Sequence, residues 1–220
     1  MVAIDLITED IPPLTHLDTG EKALRWMDEF RVSHLPVLKN GNFVGLLSES
    51  DVLDKMDEKQ TLDVLFEHLP RPFVWAGDHL FEVIDKMGEY NITVVPILDK
   101  EEKYLGCTCI HQLIRAVSRI GGITEPGGII VLDVAKANYS LAQIAQIVES
   151  NNAKILSSYI YSPSDSSQMD VTIKVNETDL ERILRTFYRY DYTIKASYQR
   201  TDSEDELKNR FDALMKYMNL

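Results

Sequence analysis

A chain of 220 residues, 45% of them hydrophobic, can bury a proper core and is long enough for one large domain or two ordinary ones. Its 23 Lys and Arg against 35 Asp and Glu leave a formal net charge of -12, which argues against a duplex nucleic-acid partner but not against a pocket for a small nucleotide. The opening Met1-Val2-Ala3-Ile4-Asp5-Leu6 lacks a signal-peptide pattern, no apolar run reaches bilayer length, and Cys107 and Cys109 cannot build a disulfide framework; a cytoplasmic protein is expected.

The first half repeats itself. Pro12 and Pro72, Asp18 and Asp78, Met27 and Met87, Glu29 and Glu89, and Pro36 and Pro96 each stand sixty positions apart, and Gly45 and Gly106 stand sixty-one apart. In each copy an Asp (18 or 78) precedes an amphipathic stretch and can cap it. Ala23, Leu24, Met27 and Phe30 share one helical face in the first copy; Val83, Ile84, Met87 and Tyr90 share it in the second. A short apolar strand follows, Leu35-Pro36-Val37-Leu38 or Val95-Pro96-Ile97-Leu98. Asn40-Gly41 suits a type I′ hairpin, Phe43 to Leu47 returns as a strand, and a helix begins near Ser48. The counterpart strand, Tyr104 to Ile110, leads into a helix holding Leu113, Ile114 and Val117.

A helix, a Leu-Pro-Val strand, and then Gly-Leu-Leu-Ser-Glu-Ser-Asp-Val in that order resemble the CBS domain. The resemblance covers roughly residues 4 to 120, as repeats 1–59 and 60–120. It implies a pair of βαββα-type units packed against each other, a non-catalytic regulatory role, and a homodimer.

Gly121-Gly122-Ile123-Thr124-Glu125-Pro126-Gly127-Gly128 breaks the periodicity and reads as a linker over 121–128. Beyond it, 129–200 reads as a second module. Ile129 to Val134 is a buried strand, and Ser140 caps a helix carrying Leu141, Ile144, Ile147 and Val148. Lys154 to Tyr161 is a strand, residues 162–167 a polar turn, Met169 to Val175 a strand, Thr178 to Tyr190 a helix, and Tyr192 to Tyr198 a last strand. This βαββαβ order is that of a ferredoxin-like sandwich and resembles the ACT domain, a regulatory module that binds amino acids. The fold class expected for the whole chain is therefore α+β. A CBS pair followed by an ACT-like domain is similar to the acetoin-utilisation-type regulatory proteins of bacteria. Within residues 201–220, Ser203-Glu204-Asp205-Glu206 is a capping box and Leu207, Phe211, Leu214 and Met218 form one stripe, so an amphipathic helix is expected there, docked in cis or on a partner.

The CBS resemblance also implies where a ligand would sit. CBS domains that bind adenosyl compounds often carry Ser/Thr-x-x-Asp where a strand meets a helix. The carboxylate accepts from the ribose hydroxyls, while the hydroxyl and exposed helix N–H groups meet a phosphate. Ser48-Glu49-Ser50-Asp51 matches this pattern; the adenine edge would face Leu35, Pro36 and Val37, with His34 and Thr8 lining the cleft. The same tetrapeptide spells a capping box, and the two roles are compatible. In the second repeat Cys109 and Gln112 take the places of Ser48 and Asp51, which leaves one competent site per chain at most. Arg25, Arg31 and Arg71 are distant in sequence, so a monophosphate or neutral adenosyl ligand suits the site better than a triphosphate.

In the ACT-like half the loop Ala135 to Ser140 lacks the glycine that lets backbone N–H groups approach a carboxylate, although Asn138 can take a left-handed conformation. Cys107-x-Cys109-x-His111 lacks the fourth ligand and turn-forming spacing of a zinc site, and buried strand cysteines behave as small hydrophobes. No catalytic residue, cofactor or metal is expected. The leading expectation is a regulator whose CBS pair binds AMP, ATP or S-adenosylmethionine and signals to a target protein through dimer rearrangement. An amino-acid sensor and a ligand-free scaffold are the alternatives.

Overall fold

The computed structural model describes residues 1–199, so the helix expected in 201–220 lies outside the described residues. The chain divides into two compact units, Met1–Val117 and a second beginning at Ser118.

In the first unit each repeat builds a three-stranded sheet. Strand β1 (Leu14–Thr15) leads to helix α1 (Gly20–Phe30), then β2 (His34–Lys39), β3 (Asn42–Ser48) and α2 (Glu49–Lys55). The second repeat follows with β4 (Val74–Trp75), α3 (Leu80–Tyr90), β5 (Val94–Leu98), β6 (Tyr104–Cys109) and α4 (Ile110–Val117). The sheets run β1-β2-β3 and β4-β5-β6, the first pairing parallel and the second antiparallel in each. The β2–β3 turn has positive φ at both Asn40 (52°) and Gly41 (80°), the type I′ conformation that this dipeptide favours.

Two expectations about the helices are corrected. Asp18 and Asp78 are not N-caps. The Asp18 carboxylate accepts from the Thr15 N–H (2.7 Å) and that of Asp78 from the Trp75 N–H (2.8 Å), each closing the turn before its helix. The caps are one residue later: Thr19 Oγ1 accepts from Lys22 N–H, and His79 Nδ1 from Phe81 N–H. Second, the buried stripe of α3 is Leu80, Val83 and Met87, while Ile84 and Tyr90 are exposed. Helices α1 and α3 both end on a left-handed non-glycine residue, Arg31 (φ 56°) and Asn91 (φ 50°).

The repeats trade their leading segments. Residues at the N-terminus bond to the second repeat: Ala3 N–H to Asp78 O, Ile4 N–H to Ala76 O, and Thr8 N–H to Cys107 O (2.9 Å). Residues ahead of β4 bond to the first: Gly20 N–H to Gln60 O, Leu62 N–H to Asp18 O, and Leu46 N–H to Pro70 O (2.9 Å). This exchange explains the matched glycines. A Cβ on Gly45 would lie 2.6 Å from Leu69 Cβ and 3.0 Å from Pro70 O; one on Gly106 would lie 2.7 Å from Ile7 Cγ2. One core joins the repeats, with Leu35, Val37, Leu47 and Val52 packed among Leu65, Val94 and Cys107.

In the second unit, β7 (Gly128–Ala135), α5 (Leu141–Ser150), β8 (Ile155–Tyr161), β9 (Gln168–Val175), α6 (Glu181–Arg189) and β10 (Thr193–Tyr198) follow in βαββαβ order. All pairings are antiparallel and the strand order is β10-β7-β9-β8. Ser140 caps α5 by accepting from Gln143 N–H. Strand β7 is not buried on both faces. Its side chains alternate, and Ile130, Leu132 and Val134 join Ile144, Ile147, Val148, Ile183 and Phe187 in the core while Leu141 stays exposed. The opposite sheet face carries exposed Tyr159, Tyr161 and Tyr198. Helix α6 begins at Glu181, three residues later than expected, because the Asp179 carboxylate turns back to accept from Glu181 N–H. No helix among the described residues is long and apolar enough to cross a membrane.

Candidate functional site

The β3–α2 junction is a full capping box. Ser48 Oγ accepts from Asp51 N–H (3.1 Å), while Asp51 Oδ2 accepts from Ser48 N–H (3.0 Å) and from the Ser48 hydroxyl (2.6 Å). The other carboxylate oxygen, Oδ1, accepts from Lys55 Nζ at 2.5 Å, one helical turn on. Asp51 is only 8% exposed. Burial by itself pushes its carboxyl up, but the bonds from Lys55 and Ser48 outweigh that and hold it below the usual carboxylate range. Helix α2 therefore uses two of its leading N–H groups internally: Asp51 N–H goes to Ser48, and Glu49 N–H goes to Ser33 O (3.0 Å).

Around this junction lies a cleft of about 530 Å³, a volume in the range of small-molecule sites. The first repeat contributes Ser33, His34, Leu46, Ser48, Glu49, Ser50, Asp51 and Lys55. The second contributes His68, Pro70 and Pro72 from its exchanged leading segment, and Tyr90, Asn91 and Ile92 from the end of α3. The cleft thus spans both repeats.

His34 ties the two halves together. Its Nδ1 accepts from Thr93 N–H (3.3 Å) and faces Thr93 Oγ1 (3.1 Å), and that oxygen accepts from Ser33 N–H (2.9 Å). With Nδ1 accepting, the ring proton sits on Nε2. Burial lowers the His34 pKa against the opposing pull of Asp51, so the ring is neutral near pH 7.

Of the residues the sequence singles out, Ser48, Asp51 and His34 come together in this cleft. Leu35, Pro36 and Val37 do not line it; all three are buried in the central strand of their sheet, where β2 pairs with β1 and β3. Thr8 is in a different place. It lines a second, smaller cleft of about 180 Å³ with Asp10, Ile11, Phe30, Cys109, His111, Gln112 and Arg115. That cleft is the second repeat's counterpart of the first, with Phe30 where the first has Tyr90. Thr8 is displaced because the leading segments are exchanged; residues 68–72 take the position that an unexchanged fold would give to its own lead-in. The sequence signals that would have found His68 and Tyr90 are the sixty-residue offsets linking them to Thr8 and Phe30.

Cys107 and Cys109 are buried free thiols, and burial pushes Cys107 up to about 11. His111 is on α4, and among the described residues no three His, Cys, Asp or Glu side chains converge as metal ligands. In the second unit the residues Lys136–Asn138 form a 3-10 turn, and Asn138 is not left-handed, because that tight turn holds it in ordinary helical space.

Two intertwined βαββα repeats enclosing clefts at their strand-to-helix junctions define a paired module. The CBS domain model matches residues 2–58 and 67–119, together half of the chain, and the chain belongs to the CBS domain family as a tandem pair. Among solved structures, a CBS domain pair/ACT domain protein from Thermotoga maritima is 22% identical, covering 54% of this chain and 98% of that one with a TM-score of 0.48. CBSX2, a CBS-pair protein of Arabidopsis thaliana, is 21% identical in its complex with AMP, covering 54% of this chain and 96% of that one with a TM-score of 0.45. A homoserine O-acetyltransferase from Methanococcus vannielii is 21% identical over 121 residues, 52% of this chain; the match spans about a quarter of that protein, 24% of its length.

Proposed function

We propose that this chain is a non-catalytic regulator whose first-repeat cleft binds an adenosine nucleotide or related adenosyl compound. The observation that carries this reading is the Asp51 carboxylate, ionised and nearly buried on the wall of a cleft that both repeats enclose. Such a group suits a ligand with paired hydroxyls, and His34 Nε2–H adds a donor beside it. Because the ligand touches both repeats, it favours one mutual arrangement of them, and a dimer built on the pair would report that preference to a target protein. The ferredoxin-like unit acts in this scheme as an ACT-like dimerising module, its open tyrosine-bearing sheet face being the surface that pairs.

Calorimetry on the full chain with AMP, ATP and S-adenosylmethionine tests the ligand. One equivalent per chain, lost in Asp51→Ala, is expected; silence toward all three in ligand-free protein overturns the reading. Light scattering after gel filtration tests the homodimer, and a mass of one chain would refute it.

A further inference from the structure

We infer that the second repeat carries a separate site for a small organic dication, two ammonium ends on a hydrocarbon chain. The site is the corner between the β4–α3 turn and the β5–β6 turn, a cleft of about 500 Å³. Trp75, Ala76 and Gly77 line it on one side; Asp78, Asp99 and Glu101 bring three carboxylates against the one lysine on its wall, Lys100.

The first repeat shows what the same corner looks like when the chain fills it. The backbones match: His16 and Ala76 N–H donate to Leu38 O and Leu98 O, and Asp18 and Asp78 N–H to Thr15 O and Trp75 O. The side chains do not. In the first repeat Asp18 Oδ1 is paired with Lys22 Nζ at 2.6 Å, and His16 packs on Phe66 (ring centroids 6.1 Å apart) with Lys39 Nζ 5.4 Å from that same ring. In the second, Ala76 and Gly77 stand in the places of His16 and Leu17, which hollows the corner. Glu82 and Asp99 stand in the places of Lys22 and Lys39, so both built-in cations have become carboxylates. Asp78 Oδ2 still accepts from Trp75 N–H, but among the described residues no lysine or arginine pairs with Asp78. Lys86, one helical turn beyond Glu82, is held by Glu89 at 2.9 Å and lies over the Tyr90 ring.

The lining selects the ligand. Three carboxylates less Lys100 leave two negative charges, which one ammonium half neutralises and two balance. Asp99 Oδ1 is used by the Glu101 and Lys103 N–H groups, so its Oδ2 remains to accept. The Trp75 indole, 39% exposed, attracts an alkyl ammonium through its ring electrons, and the hollow beside Ala76 and Gly77 takes methylenes. An inorganic divalent ion prefers a closed shell of oxygens and gains nothing from indole or hydrocarbon. The ligand class is thus an aliphatic diamine or the end of a longer polyamine.

The test is calorimetry on the full chain with diaminobutane, butylamine, butanediol and magnesium chloride, as wild type, Glu82→Lys and Ala76→His. Wild type should bind the diamine about tenfold tighter than the monoamine and give no heat with the diol. Glu82→Lys restores the lysine that the first repeat pairs with Asp18; it should raise the melting temperature yet weaken the diamine about tenfold. A damaged fold would lower both, so the opposite signs separate ligand binding from a structural role. Ala76→His refills the hollow as His16 does and should also weaken the diamine, with the melting temperature kept. Silence toward the diamine, equal affinity for butylamine or magnesium, or diamine binding indifferent to a stabilising Glu82→Lys overturns the site.

Discussion

The two repeats of the CBS pair share a backbone plan but differ at the same point in it. Where the first repeat turns from β3 into α2, Ser48 and Asp51 lock each other in a capping box and Lys55 neutralises the carboxylate. Where the second turns from β6 into α4, Cys109 and Gln112 occupy those places and the cleft shrinks from about 530 to about 180 Å³. Helix α4 forms without that box, so the fold does not demand a buried carboxylate at the junction. Its presence in one repeat alone is what distinguishes the two junctions.

The largest test of this comparison concerns what the repeats have in common. Gly45→Ala places a methyl against Leu69 Cβ and the Pro70 carbonyl, and should cost about 3 kcal/mol in urea unfolding. Gly106→Ala places a methyl against Ile7 Cγ2 and must hold φ at +156°, and should cost about 2 kcal/mol. Equal tolerance of both would break the exchanged-segment account.

A middle-sized difference is expected at the unequal positions. Asp51→Ala removes the reciprocal half of a cap and should lower stability by about 1 kcal/mol in the absence of ligand, while Gln112→Ala should stay within about 0.5 kcal/mol. If the two substitutions cost the same, the first junction has no special standing.

The smallest effect is one of pH. Burial lowers the pKa of His34 below the unfolded value of 6.5, so the unfolded chain takes up a proton before the folded one. The contribution is complete above pH 6.5 and drains as pH falls through the window beneath it. The residue at the matching position in the second repeat, Val94, cannot titrate. The melting temperature should therefore fall from pH 7 to pH 5 more steeply in wild type than in His34→Gln, and parallel curves would sink the assignment.

Much of the architecture was legible because it is written in local chemistry. Asn40-Gly41 demands positive φ twice, the βαββαβ order follows from periodicity, and the glycine pair marks one place in both repeats. Caps were harder: Asp18 and Asp78 look like N-caps, yet their carboxylates close turns onto Thr15 and Trp75 and leave the cap to the next residue. The site was half legible. Ser48, Asp51 and His34 lie close in sequence and in space, whereas Thr8 was assigned to the wrong cleft because a linear repeat does not disclose an exchange of leading segments. His68 arrives only through that exchange, and Tyr90 comes from the end of α3 in the second repeat.

That exchange also bears on how such a pair can be taken apart. Cut between the repeats, each half keeps β-strands whose outer partner has left with the other fragment: β3 loses Pro70 and β6 loses Thr8. The halves would have to find each other in solution before either sheet was complete. Covalent linkage replaces that encounter with a tethered one, at an effective concentration on the order of millimolar. The peptide joining the repeats is therefore a thermodynamic part of the cleft as well as a connection, and nicking it should make ligand affinity depend on protein concentration.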